Sequence, residues 1–291
     1  MIGAIIGDIV GSPYEGSSLN WVDDRNFPLF AKQWSRFTDD TVLTCATADA
    51  ILDLIKRQSK YEEMSMFDKK DTYPNFGLKY RDWALKYPGR GYGSGFQEWV
   101  DNGGTTINKS YANGCMMRCS PIPLSCSLLG TAQIIACRSI ASTHNSPESE
   151  RGVCSIVSAI HMALNGSTKI QICGYVEEHY GHMLDMSVED WRNHPKPNIR
   201  CNLTAPQALV CFMESTDYES AVRNAVYTKG DTDTIAAIAG SIAEAFYGVR
   251  SIPQEMIDGA KERMAPEMIE LTNEFYAKIG EYHEQYHNFI I

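Results

Sequence analysis

Two short acidic stretches stand out, Thr38-Asp39-Asp40-Thr41 and Asp231-Thr232-Asp233-Thr234, each directly ahead of an apolar run with helical spacing. Asp and Thr are good helix N-caps, and either stretch taken alone reads as capping. Capping uses one side-chain oxygen per helix, however, whereas each of these starts offers two carboxylates and at least one hydroxyl. The excess negative charge needs a counter-charge. Carboxylate and hydroxyl oxygens without His or Cys suit a hard divalent cation, Mg²⁺ or Mn²⁺, rather than zinc. Four carboxylates suit two such ions, and a pair roughly 3.5–4 Å apart polarises water and holds substrate oxygens, which makes hydrolysis the natural chemistry.

Other residues could serve such a centre. Glu15 follows Gly7-Asp8-Ile9-Val10-Gly11 in a loop and reads either as a solvated acid or as a functional one. The segment Gly89-Arg90-Gly91-Tyr92-Gly93-Ser94-Gly95 has the composition of an anion-cradling loop, although glycine-rich segments also serve as plain turns. Asn113-Gly114-Cys115-Met116-Met117-Arg118 reads as a turn entering a buried helix or as a ligand-facing edge, and His144 as a substrate contact or a helix cap. His179 and His182 lack a third ligand and read as surface; Cys115 and Cys119 lack a second Cys/His pair and read as packing.

The elements that must position these residues are helical. Apolar residues recur three and four apart over 41–57, 128–141, 153–164, 205–213, 218–226, 234–247 and 254–264. Alternating β-branched runs are scarce, so an all-α fold is predicted, a compact multi-helix domain spanning 1–291. The run 234–247 is apolar almost all round and is predicted to be a central helix. Stretches rich in Gly, Pro, Asn and Ser at 11–20, 87–95, 102–114, 143–152 and 193–198 are predicted loops. The last residues, 281–291, either dock or dangle.

Composition excludes several functions. Among 291 residues the formal net charge is −10 and no run of Lys or Arg occurs, which is the wrong electrostatics for general nucleic-acid binding. The first ten residues are apolar but carry Asp8, lack a basic flank and are too short to span a bilayer, so neither a signal peptide nor a membrane anchor is expected. The nine cysteines, odd in number and mostly in apolar runs, point to buried free thiols in a reducing, cytoplasmic setting. A monomer is expected.

Taken together, Gly-Asp-x-x-Gly-x-x-x-Glu at 7–15, Thr-Asp-Asp-Thr at 38–41, Gly-x-Gly-x-Gly at 91–95, Asn-Gly-x-x-Met-Arg at 113–118, Thr-His at 143–144 and Gly-Asp-Thr-Asp-Thr at 230–234 resemble the ADP-ribosylglycohydrolase family in order and spacing, over about residues 1–250. The resemblance implies a central dinuclear Mg²⁺ site held by Thr38, Asp39, Asp40, Asp231, Asp233 and Thr234. It makes Glu15, on a flap, and Asp39 and Asp233 the catalytic candidates. It implies that Gly91, Tyr92, Gly93, Ser94 and Gly95 cradle the diphosphate, and that Asn113, Gly114, Met117 and His144 lie along the ADP-ribose. The implied reaction is hydrolysis of the bond between ADP-ribose and a protein or small-molecule acceptor, with the metals gripping the distal ribose and the carboxylates stabilising its oxocarbenium-like transition state.

The loop at 89–95 lacks the acidic residue found in some bacterial relatives that act on arginine-linked ADP-ribose, and is more similar to members that cleave O-linked (serine-type) or polymeric ADP-ribose. Cys115 and Met116 depart from the smaller residues of the family pattern. Two rival readings use the same residues. One is a two-metal nucleotide phosphoesterase, against which stands the absence of a positioned Lys or Arg clustered with the aspartates to clamp the transferred phosphate. The other is a catalytically inactive ADP-ribose-binding protein.

Overall fold

The computed structural model describes residues 1–16, 21–31, 33–58, 73–194 and 199–291. Its helices are, in chain order, α1 (Ile2–Gly11), α2 (Asp39–Gln58), α3 (Phe76–Lys86), α4 (Ser94–Asp101), α5 (Pro121–Leu124), α6 (Leu129–Ile140) and α7 (Pro147–Leu164). There follow α8 (Lys169–Tyr180), α9 (Val188–Arg192), α10 (Cys201–Met213), α11 (Tyr218–Tyr227), α12 (Thr232–Tyr247), α13 (Gln254–Lys261) and α14 (Pro266–Ile279). Among the described residues there is no strand, only isolated bridges between Lys109 and His144 and between Ala112 and Arg200. The fold is all-α. No helix among them is long and apolar enough to cross a membrane.

The centre of the molecule is the pair α1 and α12. Every residue of α1 is buried, as is α12 from Thr232 to Ala245. The two meet backbone to backbone because glycines recur at every fourth position of α1. A Cβ on Gly3 would lie 2.5 Å from the Gly240 carbonyl oxygen, one on Gly7 2.2 Å from that of Ala236, and one on Gly11 2.5 Å from Asp233 Cα. Such contact requires all three glycines. At the far end of the pair the buried Glu244 accepts from the Met1 ammonium at 2.6 Å, the Gly3 N–H at 2.7 Å and the Tyr276 hydroxyl at 2.7 Å, tying α14 to both helices. A buried carboxylate is tolerable when it is satisfied in this way. Around this pair pack α2, α7, α10, α11 and α13.

All seven predicted helices are present, and 281–291 docks, with Tyr286 and Ile291 buried. The predicted loop 143–152 is a correction: α7 begins inside it, because Ser146 accepts the Ser149 N–H as a cap and Pro147 suits the first turn. The predicted loop 87–95 likewise gives way to α4 at Ser94. The parts of the predicted loops at 17–20 and 195–198 lie outside the described residues. Helices α3, α8 and α14 were not predicted. In α8 only Ile172 and Val176 are buried, too thin an apolar stripe to register, and a Thr168–Gln171 capping box supports its start instead. Most of the nine cysteines are buried and all are free, with Cys137 and Cys173 partly exposed. His182 is buried rather than on the surface, its Nε2 3.1 Å from Ser155 Oγ, while His179 stacks on Tyr175.

Candidate active site

Because α1 locks α12 in place and α2 crosses α1, the N-termini of α2 and α12 emerge side by side. Thr234 Oγ1 donates to Asp40 Oδ2 at 3.3 Å, joining the two acidic motifs. Thr38, Asp39, Asp40, Asp231, Asp233 and Thr234 all line one cleft of about 350 Å³. Glu15 stands on the same wall, and ligand oxygens of Glu15, Asp231 and Asp233 lie within 4.8 Å of one another. Asp39 and Asp40 share the cleft but are not part of that closest trio.

Asp8, which the sequence reading left without a role, organises this turn from beneath. Its Oδ2 accepts from the Thr38 N–H at 2.9 Å and the Thr41 N–H at 3.1 Å, and its carboxylate also takes both threonine hydroxyls. An acid on α1 thus caps α2 and satisfies donors that the helix start leaves free. Its signal in the sequence was its place between Gly7 and Gly11, whose own packing fixes where it points.

More of the lining comes from the glycine-rich segment and the Asn-Gly turn. The Asp39 N–H donates to the Arg90 carbonyl at 2.9 Å, and Gly91, at φ 98°, passes so close that a Cβ would lie 3.2 Å from Asp39 Oδ1. Only glycine combines that φ with that approach. Gly93, Ser94 and Gly95 bring the start of α4 to the cleft, and Asn108 Nδ2 holds the Gly95 carbonyl at 3.1 Å. Tyr92 is turned away from the lining: its ring stacks on Phe96 and its hydroxyl donates to the Tyr87 carbonyl. Asn113 donates to Asp231 Oδ2 at 2.6 Å and to Thr204 Oγ1 at 3.2 Å, and Gly114, Met117 and His144 complete the wall. The fold also brings Arg36, Arg90 and Arg118 to the cleft. Arg90 and Arg118 are far from the aspartates in sequence and Arg36 lies two residues before Thr38, so the expected lack of a clustered cation, which weighed against a phosphoesterase, does not hold.

The carboxylates are heavily strained electrostatically. Burial, then the charge of Asp8, pushes Asp39 up to about 8, and burial with neighbouring carboxylates lifts Asp40 and Asp233 well above the usual range. Glu15 is raised by desolvation and by Asp231 and Asp8, against the pull of Arg36. Asp40 Oδ1 is sealed from solvent with no hydrogen-bond partner among the described residues. An all-oxygen donor set with an orphaned carboxylate oxygen fits a hard cation, and the acidic cluster could hold one.

The shifts set a pH dependence. Asp8, raised by burial to about 6, and Asp39, at about 8, bind more protons folded than unfolded. Stability from this source is complete below the unfolded carboxylate range and is lost as pH rises through those values. In chelator, the melting temperature is expected to fall between about pH 5 and pH 8, and added Mg²⁺ to remove most of the fall by taking the place of the protons. A melting temperature that rises over this interval in chelator would contradict the assigned directions.

A family profile described as ADP-ribosylglycohydrolase matches residues 1–285. The chain belongs to this family. As an ADP-ribosylglycohydrolase it is a hydrolase acting on glycosyl bonds. It is 27% identical to a Mus musculus protein named ADP-ribosylhydrolase ARH3, over 90% of this chain and 87% of that one. It is 25% identical to a Pseudomonas putida (strain GB-1) protein named ADP-ribosylarginine hydrolase Tri1, over 89% of this chain and 72% of that one. A solved structure named ADP-ribosylglycohydrolase-related protein complex superposes with a TM-score of 0.63 at 22% identity, over 93% of both chains, and shares the fold.

Proposed function

We propose that this ADP-ribosylglycohydrolase cleaves the bond between ADP-ribose and an acceptor oxygen, and that it requires two hard divalent cations, Mg²⁺ or in its place Mn²⁺. The observation that carries the reading is the hydrogen bond from Thr234 to Asp40, which makes one site of two motifs from distant parts of the chain. Thr38, Asp39, Asp40, Asp231, Asp233 and Thr234 would hold the cations, which when bound supply Lewis acidity toward water and sugar hydroxyls.

The protein's own groups do the rest. Asp39, Asp231 and Asp233 present negative charge where positive charge builds on the ribose as the acceptor departs. Glu15 stands beside Asp231 and Asp233 with its pKa raised, which suits it to hold a proton for the departing oxygen or to take one from water. Gly91, Gly93 and Gly95 let backbone N–H groups approach a diphosphate, and Asn113, fixed by Asp231 and Thr204, is poised to contact the sugar.

Arg36 and Arg90 line the same cleft as Glu15. Their positive charge disfavours a guanidinium-linked acceptor and favours a neutral O-linked one, in keeping with the lack of an acid in the loop at 89–95. With serine-linked, arginine-linked and polymeric ADP-ribose compared side by side, release is expected to be at least about tenfold faster from the serine linkage than from arginine, a difference of about 1.4 kcal/mol. It is expected to stop in chelator and to return with Mg²⁺. Preference for the arginine linkage would reject the O-linked assignment.

Arg36, Arg90 and Arg118 give the phosphoesterase reading a physical basis, since they could clamp a transferred phosphate. Free ADP-ribose separates the two readings: the proposed enzyme leaves it intact, and a phosphoesterase releases AMP from it.

A further inference from the structure

His144 is buried beside the cleft, and its Nδ1 lies 2.9 Å from Thr143 Oγ1, which is itself fully buried. The same hydroxyl oxygen accepts from Arg118 Nη2 at 2.7 Å. Arg118 is a donor only, so that bond leaves the Thr143 hydrogen to find an acceptor. Among the described residues the one available is His144 Nδ1. Were Nδ1 protonated, the hydroxyl would accept from both Arg118 and His144, and its own hydrogen would be left buried without an acceptor. The other ring nitrogen, Nε2, points toward Gly114 on the cleft wall, where a Cβ would lie 3.4 Å from it, and it has no partner among the described residues.

We infer that Arg118 and Thr143 are positioning residues that lock His144 as the neutral tautomer carrying its hydrogen on Nε2, so that the ring donates a hydrogen bond to an oxygen of the bound ADP-ribose. The inference rests on the ADP-ribose reading above for its ligand, and on hydrogen-bond arithmetic for the tautomer. Burial and the Arg118 charge also hold the imidazole well below its usual pKa, which keeps it neutral at physiological pH. Arg118 can exert this influence because its guanidinium is itself buried, stacked 4.1 Å from the centre of the Tyr80 ring. Arg118 acts through Thr143, and Thr143 through His144.

The test is long-range proton–nitrogen NMR on the Mg²⁺-loaded protein with ¹⁵N-labelled histidine, His144→Gln identifying the signals. The wild type is expected to show a protonated Nε2 and a bare Nδ1 at His144 from about pH 5 to pH 8. Thr143→Val, isosteric but without the hydroxyl, is expected to admit the Nδ1–H form and to weaken binding of free ADP-ribose by about five- to tenfold in calorimetry. Thr143→Ser is expected to restore both. A wild-type His144 protonated on Nδ1 overturns the inference without recourse to any variant, and so does a folded Thr143→Val with unchanged tautomer and affinity. A wild type with the stated tautomer that fails to bind ADP-ribose overturns the ligand, and with it the proposed function, while the lock itself is upheld.

Discussion

Asp233→Ala is expected to lower turnover by about a thousandfold or more and to abolish the heat of Mg²⁺ or Mn²⁺ binding. Asp233 is buried at the first turn of α12, its Oδ1 accepts the Thr234 N–H at 2.9 Å, and its carboxylate belongs to the trio with Glu15 and Asp231. On the proposed assignment, removing it takes away a cation ligand and part of the charge that would face the sugar, and several kcal/mol of transition-state stabilisation corresponds to a loss of this size. Stability should move the other way in chelator, since one of the mutually repelling buried acids is gone. Initial rates, binding calorimetry and a melt in chelator read these effects on a single preparation. A variant that keeps full activity after exhaustive chelation would remove the metal-centred mechanism.

The second large effect concerns packing. Gly7→Ala would place a methyl 2.2 Å from the Ala236 carbonyl oxygen, and backbone on both sides leaves nothing to yield except the spacing of α1 from α12. Overpacking of this kind costs about 3 kcal/mol or more, or roughly 10 °C in melting temperature for a chain of this size. Gly7→Leu is not expected to fold. A contrast is available at Gly174 inside α8, where an added Cβ meets nothing within 4 Å. Gly174→Ala is expected to stabilise by about 0.5–1 kcal/mol through helix propensity and the unfolded state. Equal melting temperatures for the alanine variants at 7 and 174 would show that the close helix contact does not bear on stability.

The parts of this molecule that were readable beforehand are those with a strong local signature. The run 234–247 announces a buried helix because it has almost no polar face, and α12 is buried through Ala245. The two aspartate motifs were readable because their charge exceeds any capping need. Helix α14 was not, since its buried face, Met268, Thr272, Phe275, Tyr276 and Ile279, mixes a threonine and a tyrosine into the apolar stripe. The roles of Asp8 and of the cleft arginines were invisible for a different reason. Nothing near Asp8 in sequence says that its partners are Thr38 and Thr41, and although Arg36, Arg90 and Arg118 sit in or beside the segments read as lining the site, nothing there says that their three guanidinium groups share a cavity. Such relations exist only after the helices have docked. Tyr92 illustrates the converse, a residue inside a readable motif whose side chain the fold uses for packing instead.

Asp40 and Thr234 stand 194 positions apart, and the helix that aligns them, α1, must dock on α12. During synthesis the chain emerges from its N-terminal side at about 5–20 residues per second. For many seconds, therefore, Asp39 and Asp40 are on a nascent polypeptide whose α12 has yet to be made, and α1 has no glycine-to-backbone seat. If the proposed ligand set holds the cations, a cation encountering the growing chain meets only half of it, so capture waits until translation has passed the twelfth helix, and the enzyme acquires its chemistry in one late event.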